Sequence, residues 1–251
     1  MKYPNSTQNI PENVLSAIRF TAQTGVLSRK IWNKSFSFGS DTWKSRQLNK
    51  LLEMDILKDY LMLEKNQFYK LGMPGLSYAR KLGVKPVTSP LSNQILHDAW
   101  VFEMILALQN KNLISEWSSE AQLKSGHLFN DESWEQQKKI PDAVVKVKIK
   151  NDFRHLAFEY ERTLKTSWRI KEILRAYAGF MQFPLVIVVC EDEIIKQSYL
   201  KMLKQTNGLG LNNKIGFTLA DGWQSHPENQ PIQMLDRIYH LKDILQSFEK
   251  T

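Results

Sequence analysis

The sequence IPDAVVKVKI, residues 140–149, followed after a short turn by HLAFEYERT, residues 155–163, decides how the second half of this chain folds. Ala143–Ile149 and His155–Glu161 are apolar runs of strand length, and Lys150–Asn151–Asp152 between them is a turn, so the two runs read as adjacent strands. Both carry acids where an apolar strand has no use for them. Asp142 heads the first run, and Glu159 and Glu161 lie inside the second. Carboxylates facing inward are costly unless paired. A divalent cation, Mg²⁺ or Mn²⁺, is a common partner, and phosphate chemistry is a common use of such an ion. Plainer roles compete: Asp142 after Pro141 as a turn residue, and Glu161 as the surface partner of Arg162 or Lys165.

Working outward, Asn93–Gln109 reads as a long helix with Ile95, Leu96, Ala99, Phe102, Ile105 and Leu106 on its core face and with His97 and Glu103 among them. Leu113–Trp117 reads as a strand, residues 124–139 as a polar loop, and Trp168–Phe180 as a helix. Pro184–Cys190 is a short Leu, Val and Ile run suited to a strand covered on both faces. Glu193–Gln205 is helical, Ile215–Leu219 a strand, Gly222–Pro231 a loop, and Met234–Phe248 a final amphipathic stretch. Residues 93–251 therefore read as a mixed sheet with helices on its faces.

The first third has a different character. Of the 34 Lys/Arg and 26 Asp/Glu, 14 and 6 fall in residues 1–90, so the whole formal charge of +8 sits there. A basic segment joined to a neutral remainder suits a polyanion partner, although surplus surface lysine gives the same count. Residues 1–10 read as disordered. A helix runs from Pro11–Glu12 to Gly25 with Val14, Leu15, Ile18 and Ala22 on one face. Ser28 caps a short second helix, Arg29–Lys34, and a loop, Ser35–Gly39, follows. Ser40 or Asp41 caps a third helix carrying Trp43, Leu48, Leu51 and Leu52 as its apolar stripe, with Trp43 read as core. Residues 60–71 have a period of two and form a hairpin around Glu64–Lys65–Asn66. Pro74 opens a last short helix that Gly83 ends, and residues 84–92, with two prolines, form a linker.

Three helices and a hairpin is the winged helix-turn-helix order, in which the third helix enters the major groove of DNA. Arg29, Lys30, Lys44, Arg46, Gln47, Lys50 and Lys65 are the candidate DNA-binding residues, the cations for phosphates and Arg46 or Gln47 for base edges. Protein docking is the other use of this module. Cys190 is the one cysteine and ends an apolar run, which fits a buried structural thiol in a reducing cytoplasm. Met1–Glu12 is polar, unlike a signal peptide, and no run approaches membrane-spanning length.

The order helix–strand–strand–strand–helix–strand, with Pro141–Asp142 opening one strand and Glu159–Tyr160–Glu161 on the next, resembles the PD-(D/E)xK nuclease core. The resemblance implies Asp142 and Glu159 as metal ligands, joined by Glu103 from the first helix. The family's lysine, two residues after the second acid, is Glu161 here. Glu161 then becomes the candidate general base, with Lys165 or Lys171 standing in for the lysine and Arg162 neutralising the scissile phosphate. Together with the winged helix, His97, Pro141–Asp142–Ala143 and the strand end Glu159, Glu161, Arg162, Thr163 resemble the replication-relaxation and MobC-type plasmid mobilisation proteins. That resemblance implies a fold with an N-terminal winged helix at 11–83, a linker at 84–92 and a restriction-endonuclease-like mixed sheet at 93–251. It implies a metal-dependent nickase at a plasmid transfer origin, with double-stranded DNA, accessory mobilisation proteins or a transfer ATPase as partners. The alternative is a DNA-binding regulator with a degenerate nuclease core. The five histidines, at 97, 127, 155, 226 and 240, include no close pair for a three-His site. A covalent route through Tyr69, Tyr160 or Tyr177 is a further option.

Overall fold

Secondary structure follows the apolar periods closely enough that the acids named above can be placed on particular strands. The structure, a computed structural model, describes residues 10–89, 93–125, 139–149, 152–179, 183–206 and 210–247. Of the disorder expected at 1–10, residues 1–9 lie outside the described residues, as do part of the linker, most of the 124–139 loop, His127 and the turn at 150–151, whereas Ile10 is described and buried. The fold is mixed α and β and divides into two compact units, Met1–Ala99 and Trp100–Thr251.

In the first unit, α1 (Glu12–Thr24) buries Val14, Leu15, Ile18 and Phe20 and stops at Gly25, whose φ of 79° and N–H bond to the Thr21 carbonyl close the helix. Leu27–Ser28 forms β1, a strand too short to show as a period. Ser28 then caps α2 (Arg29–Ile31) through a 3.1 Å bond from the Ile31 N–H, and the chain continues as a π-helical turn over Trp32–Phe36. That turn replaces the start of the expected loop, because Trp32 and Phe36 are both buried, with Phe36 5.2 Å from Phe20. Ser40 caps α3 (Asp41–Glu53). The hairpin β2 (Leu57–Leu63) and β3 (Asn66–Leu71) turns at Glu64 and Lys65, with φ of 48° and 65°, the left-handed pair that suits a tight hairpin. β1, β3 and β2 form one three-stranded sheet in that order, and α4 (Met73–Lys81) follows.

Helix α5 (Ile95–Asn110) crosses from one unit into the next, and Val101–Leu108 is buried throughout, so its core face is wider than the stripe read from the sequence. A seven-stranded sheet organises the second unit. Its members are β4 (Glu116–Ser119), β5 (Ala143–Ile149), β6 (Asp152–Glu161), β7 (Leu185–Cys190), β8 (Ile215–Leu219), β9 (Pro231–Met234) and β10 (Arg237–His240). They lie side by side in the order β10-β9-β8-β7-β6-β5-β4. β4, β5 and β6 are an antiparallel meander, β6, β7 and β8 run parallel, and β9 and β10 close the far edge antiparallel. The parallel steps are bridged by α7 (Ser167–Ala178) and α8 (Glu193–Gln205), capped by Thr166 and Asp192. Every residue of β7 is buried, as a strand between two parallel neighbours requires.

Three expectations are corrected. The strand after α5 starts at Glu116, not Leu113, since Asn112 takes a φ of 54° and turns the chain first. Ser119 and Gln122 form a capping box that starts a short helix, α6 (Glu120–Lys124), at the edge of the presumed loop. The final amphipathic stretch is a hairpin, β9 and β10, turned at Leu235 with φ of 52°, and only Leu241–Ser247 is helical, as α9. Among the described residues no helix is long and apolar enough to cross a membrane.

Candidate active site and nucleic-acid interface

Strand alternation decides where the acids go. On β6, Ala157, Glu159 and Glu161 share one face and Phe158 and Tyr160 the other. Tyr160 stacks on Trp100 of α5 at 4.0 Å, and Phe102 of α5 meets Trp117 of β4, so α5 covers the Tyr160 face. The opposite face is covered by α7 and α8, whose Ile173, Leu174, Tyr177, Tyr199 and Leu203 form the core with Val186, Val188 and Phe217. Glu159 and Glu161 therefore point under α7 and α8, each 2% exposed. Ala143 pairs with Phe158, which brings Asp142 beside Glu159 at the next register position.

Each acid is engaged. Asp142 Oδ2 accepts the Tyr160 N–H at 2.7 Å, which ties the head of β5 to β6. Glu159 accepts the Tyr177 hydroxyl and, on its other oxygen, lies 2.8 Å from the Lys139 ammonium. Glu161 accepts the Tyr199 hydroxyl at 2.6 Å and is ion-paired with Lys165. Burial, reinforced by the charge of Asp142 and opposed by Lys139, pushes the Glu159 carboxyl up to about 8. Burial works against the Lys139 ammonium as well, but the charges of Glu159 and Asp142 outweigh it and hold Lys139 above the usual lysine range. Lys165 is held below that range, by burial first and then by Lys139. Asp142, Glu159, Glu161, Lys139 and Lys165 thus form one coupled cluster.

Tyr199→Phe removes a donor from a buried carboxylate without changing the packing. It is expected to cost about 1–3 kcal/mol, read as faster amide hydrogen exchange in β6.

Lys139 and Tyr199 were not legible as site residues, and Tyr177, read as a possible nucleophile, was not legible as the partner of Glu159. Lys139 sits at the end of a polar stretch, and Tyr177 reads as one more apolar position on α7. The four-residue step from Glu161 to Lys165, by contrast, could be read directly. Glu103 is buried on α5, the helix covering the opposite face, so it does not join Asp142 and Glu159. Among the described residues no three His, Cys, Asp or Glu side chains form a group able to hold a metal ion. A divalent ion held by Asp142 and Glu159 would have to take the place of the Lys139 ammonium at Glu159. Arg162 is exposed at the end of β6, and Lys171 is half-buried on α7, outside these contacts. His97 lies in the first unit, its Nδ1 3.1 Å from Asp98 Oδ1. Tyr160 donates its hydroxyl to Glu191 and Tyr177 is fully buried. Burial pushes the Cys190 thiol up to about 12, which suits an inert core residue.

In the first unit, Arg29, Lys30, Arg46, Lys50 and Lys65 are exposed, and Lys44 is half-buried. Arg29 bonds Ser45 at 2.9 Å, which holds α2 against α3. Gln47 is half-buried with its Oε1 turned inward. Trp43 is corrected from core to surface: it is 52% exposed, because Leu48 and Leu51 alone supply the inward face of α3 while the core beneath is filled by Trp32, whose indole N–H bonds the Lys44 carbonyl at 3.2 Å.

No family model matches the chain, and none of the curated proteins matches it. Among solved structures, protein VC1899 from Vibrio cholerae is similar at 9% identity and a TM-score of 0.24, over 94% of this chain and 50% of that one. The chain spans about half the length of that protein, and a likeness this distant shows neither fold nor function.

Proposed function

We propose that this protein binds DNA through a winged helix at 11–83, joined by a linker at 84–92 to a PD-(D/E)xK-like nuclease module at 93–251. In this reading it acts as a Mg²⁺- or Mn²⁺-dependent nickase at a plasmid or mobile-element transfer origin. The carrying observation is that Asp142, Glu159 and Glu161 share one face of adjacent strands with Lys139 and Lys165 among them. The element order supports it: α5, the β4–β5–β6 meander, α7, then β7 parallel to β6. In the first unit, α1, α2 and α3 precede a hairpin, and exposed cations lie on α2, α3 and the hairpin turn.

Within this reading, Lys139 and Lys165 supply the positive charge that the family's lysine supplies to the developing phosphorane. Glu161 is the candidate base, and a water has to reach it past Tyr199. A bound divalent ion would polarise the scissile phosphate and would be held by Asp142 and Glu159. Accessory mobilisation proteins or a transfer ATPase are the partners that this function needs.

A second reading is favoured by one specific observation. Glu159 and Glu161 both already carry a lysine and a tyrosine, as in a degenerate core that stabilises a DNA-binding regulator. Supercoiled plasmid bearing the cognate origin separates the two. Nicking in Mg²⁺ or Mn²⁺ that disappears in Asp142→Ala and Glu159→Ala supports the enzyme. Nicking unchanged in both sinks this site. Tight DNA binding with no nicking under any condition selects the regulator.

A further inference from the structure

A cleft of about 480 Å³ opens beside the acid cluster, lined by Lys139, Arg169, Glu172, Ile173, Arg175 and Ala176. Three of these six carry positive charge. Arg169 is paired with Glu172 at 3.2 Å and Lys139 with Glu159, while Arg175 has no carboxylate partner among the described residues. Trp168, Glu172 and Arg175 stand at i, i+4 and i+7 on α7, so they make one stripe along the helix. Trp168, at the N-terminal end of that stripe, is 65% exposed. An exposed indole at the helix end beside a cleft lined by Lys139, Arg169 and Arg175, whose one acid, Glu172, is taken up by Arg169, is the pairing that a single nucleic-acid strand recognises: bases stack on the ring and phosphates lie on the cations.

We propose that α7 is a single-strand DNA track, with Trp168 as the stacking platform and Arg169, Arg175 and Lys139 as phosphate contacts. It deepens the nuclease reading by naming the substrate form, an unpaired strand led toward the acid cluster. The track needs no cleavage to exist, so the two can fail separately. Lys139 joins them physically, since its ammonium touches Glu159 and the residue also lines the cleft.

The test uses the full chain and a fluorescein-labelled octathymidylate, read by anisotropy. Trp168→Ala and the pair Arg169→Ala with Arg175→Ala are each expected to weaken binding at least ~10-fold, the order of one lost stack. Trp168→Phe retains most of the affinity, and an octamer of abasic sites binds the wild type as weakly as the normal octamer binds Trp168→Ala. Wild-type affinity in either the Trp168→Ala or the double arginine variant overturns the proposal. So does equal binding of the abasic octamer, which reports charge alone. Absence of plasmid nicking with these octamer results intact counts against the nuclease and leaves the track standing.

Discussion

Lys139→Met is expected to destabilise the second unit by about 2–3 kcal/mol at pH 9 and by less than about 1 kcal/mol at pH 6, because it removes the cation from a buried carboxylate. The pH dependence has a definite sign. Burial pushes the Glu159 carboxyl up to about 8 in the native protein, against an ordinary value of 4.5. Between those values the native state holds more protons than the unfolded chain, so stability falls as the pH rises through the window. Lys139 opposes that fall by favouring the ionised form, and its removal therefore costs most where Glu159 is ionised. At pH 6 Glu159 is largely protonated with or without the lysine. Lys139→Met combined with Glu159→Gln is expected to recover most of the loss at pH 9, since no buried charge then remains at this position. Hydrogen exchange of β5, β6 and β7 amides at the two pH values reads the effect within the second unit. A loss equal at both pH values would mean that Lys139 acts through packing alone.

Lys44→Glu with Arg46→Glu is expected to lower affinity for duplex DNA at least ~100-fold near 0.1 M salt. It should also flatten the dependence of log affinity on log salt by about 1.8, two phosphate contacts at about 0.9 each. The expectation rests on α3, where Arg46 and Lys50 are exposed and Lys44, half-buried and 3.9 Å from Asp41, lies on the same helix. Lys65→Glu at the hairpin turn removes one contact and about half of the slope change. An unchanged slope in the α3 variant would place the DNA contacts elsewhere and leave α3 a docking helix.

What the sequence discloses, and what it hides, has a physical pattern. β5, α8 and β8 lie at the residues read from the apolar runs, because each run is bounded by turn or capping residues that end it locally. The C-terminal hairpin is hidden because its turn is Leu235–Asp236, without a glycine, between strands of four residues each. Trp43 misleads because helical spacing marks a face and not what covers it; Trp32 already fills the space beneath. The acids are legible since charge inside an apolar strand always needs an explanation. Their partners are not, because Lys139, Tyr177 and Tyr199 come from a loop end and two helices that only the folded sheet brings to Glu159 and Glu161.

The nickase reading requires that a divalent ion take Glu159 from Lys139, and one measurement addresses that exchange. A ¹³C-carboxyl titration of Glu159, followed by NMR with and without millimolar Mg²⁺, reports directly on the group both cations compete for. Without the ion the carboxyl should titrate near 8. With Mg²⁺ the apparent value should fall below neutral, since a bound cation favours the ionised form, and Asp142→Ala should abolish that fall. A curve that does not move with Mg²⁺ would contradict metal-dependent chemistry at this site and leave the cluster a buried ion-pair network.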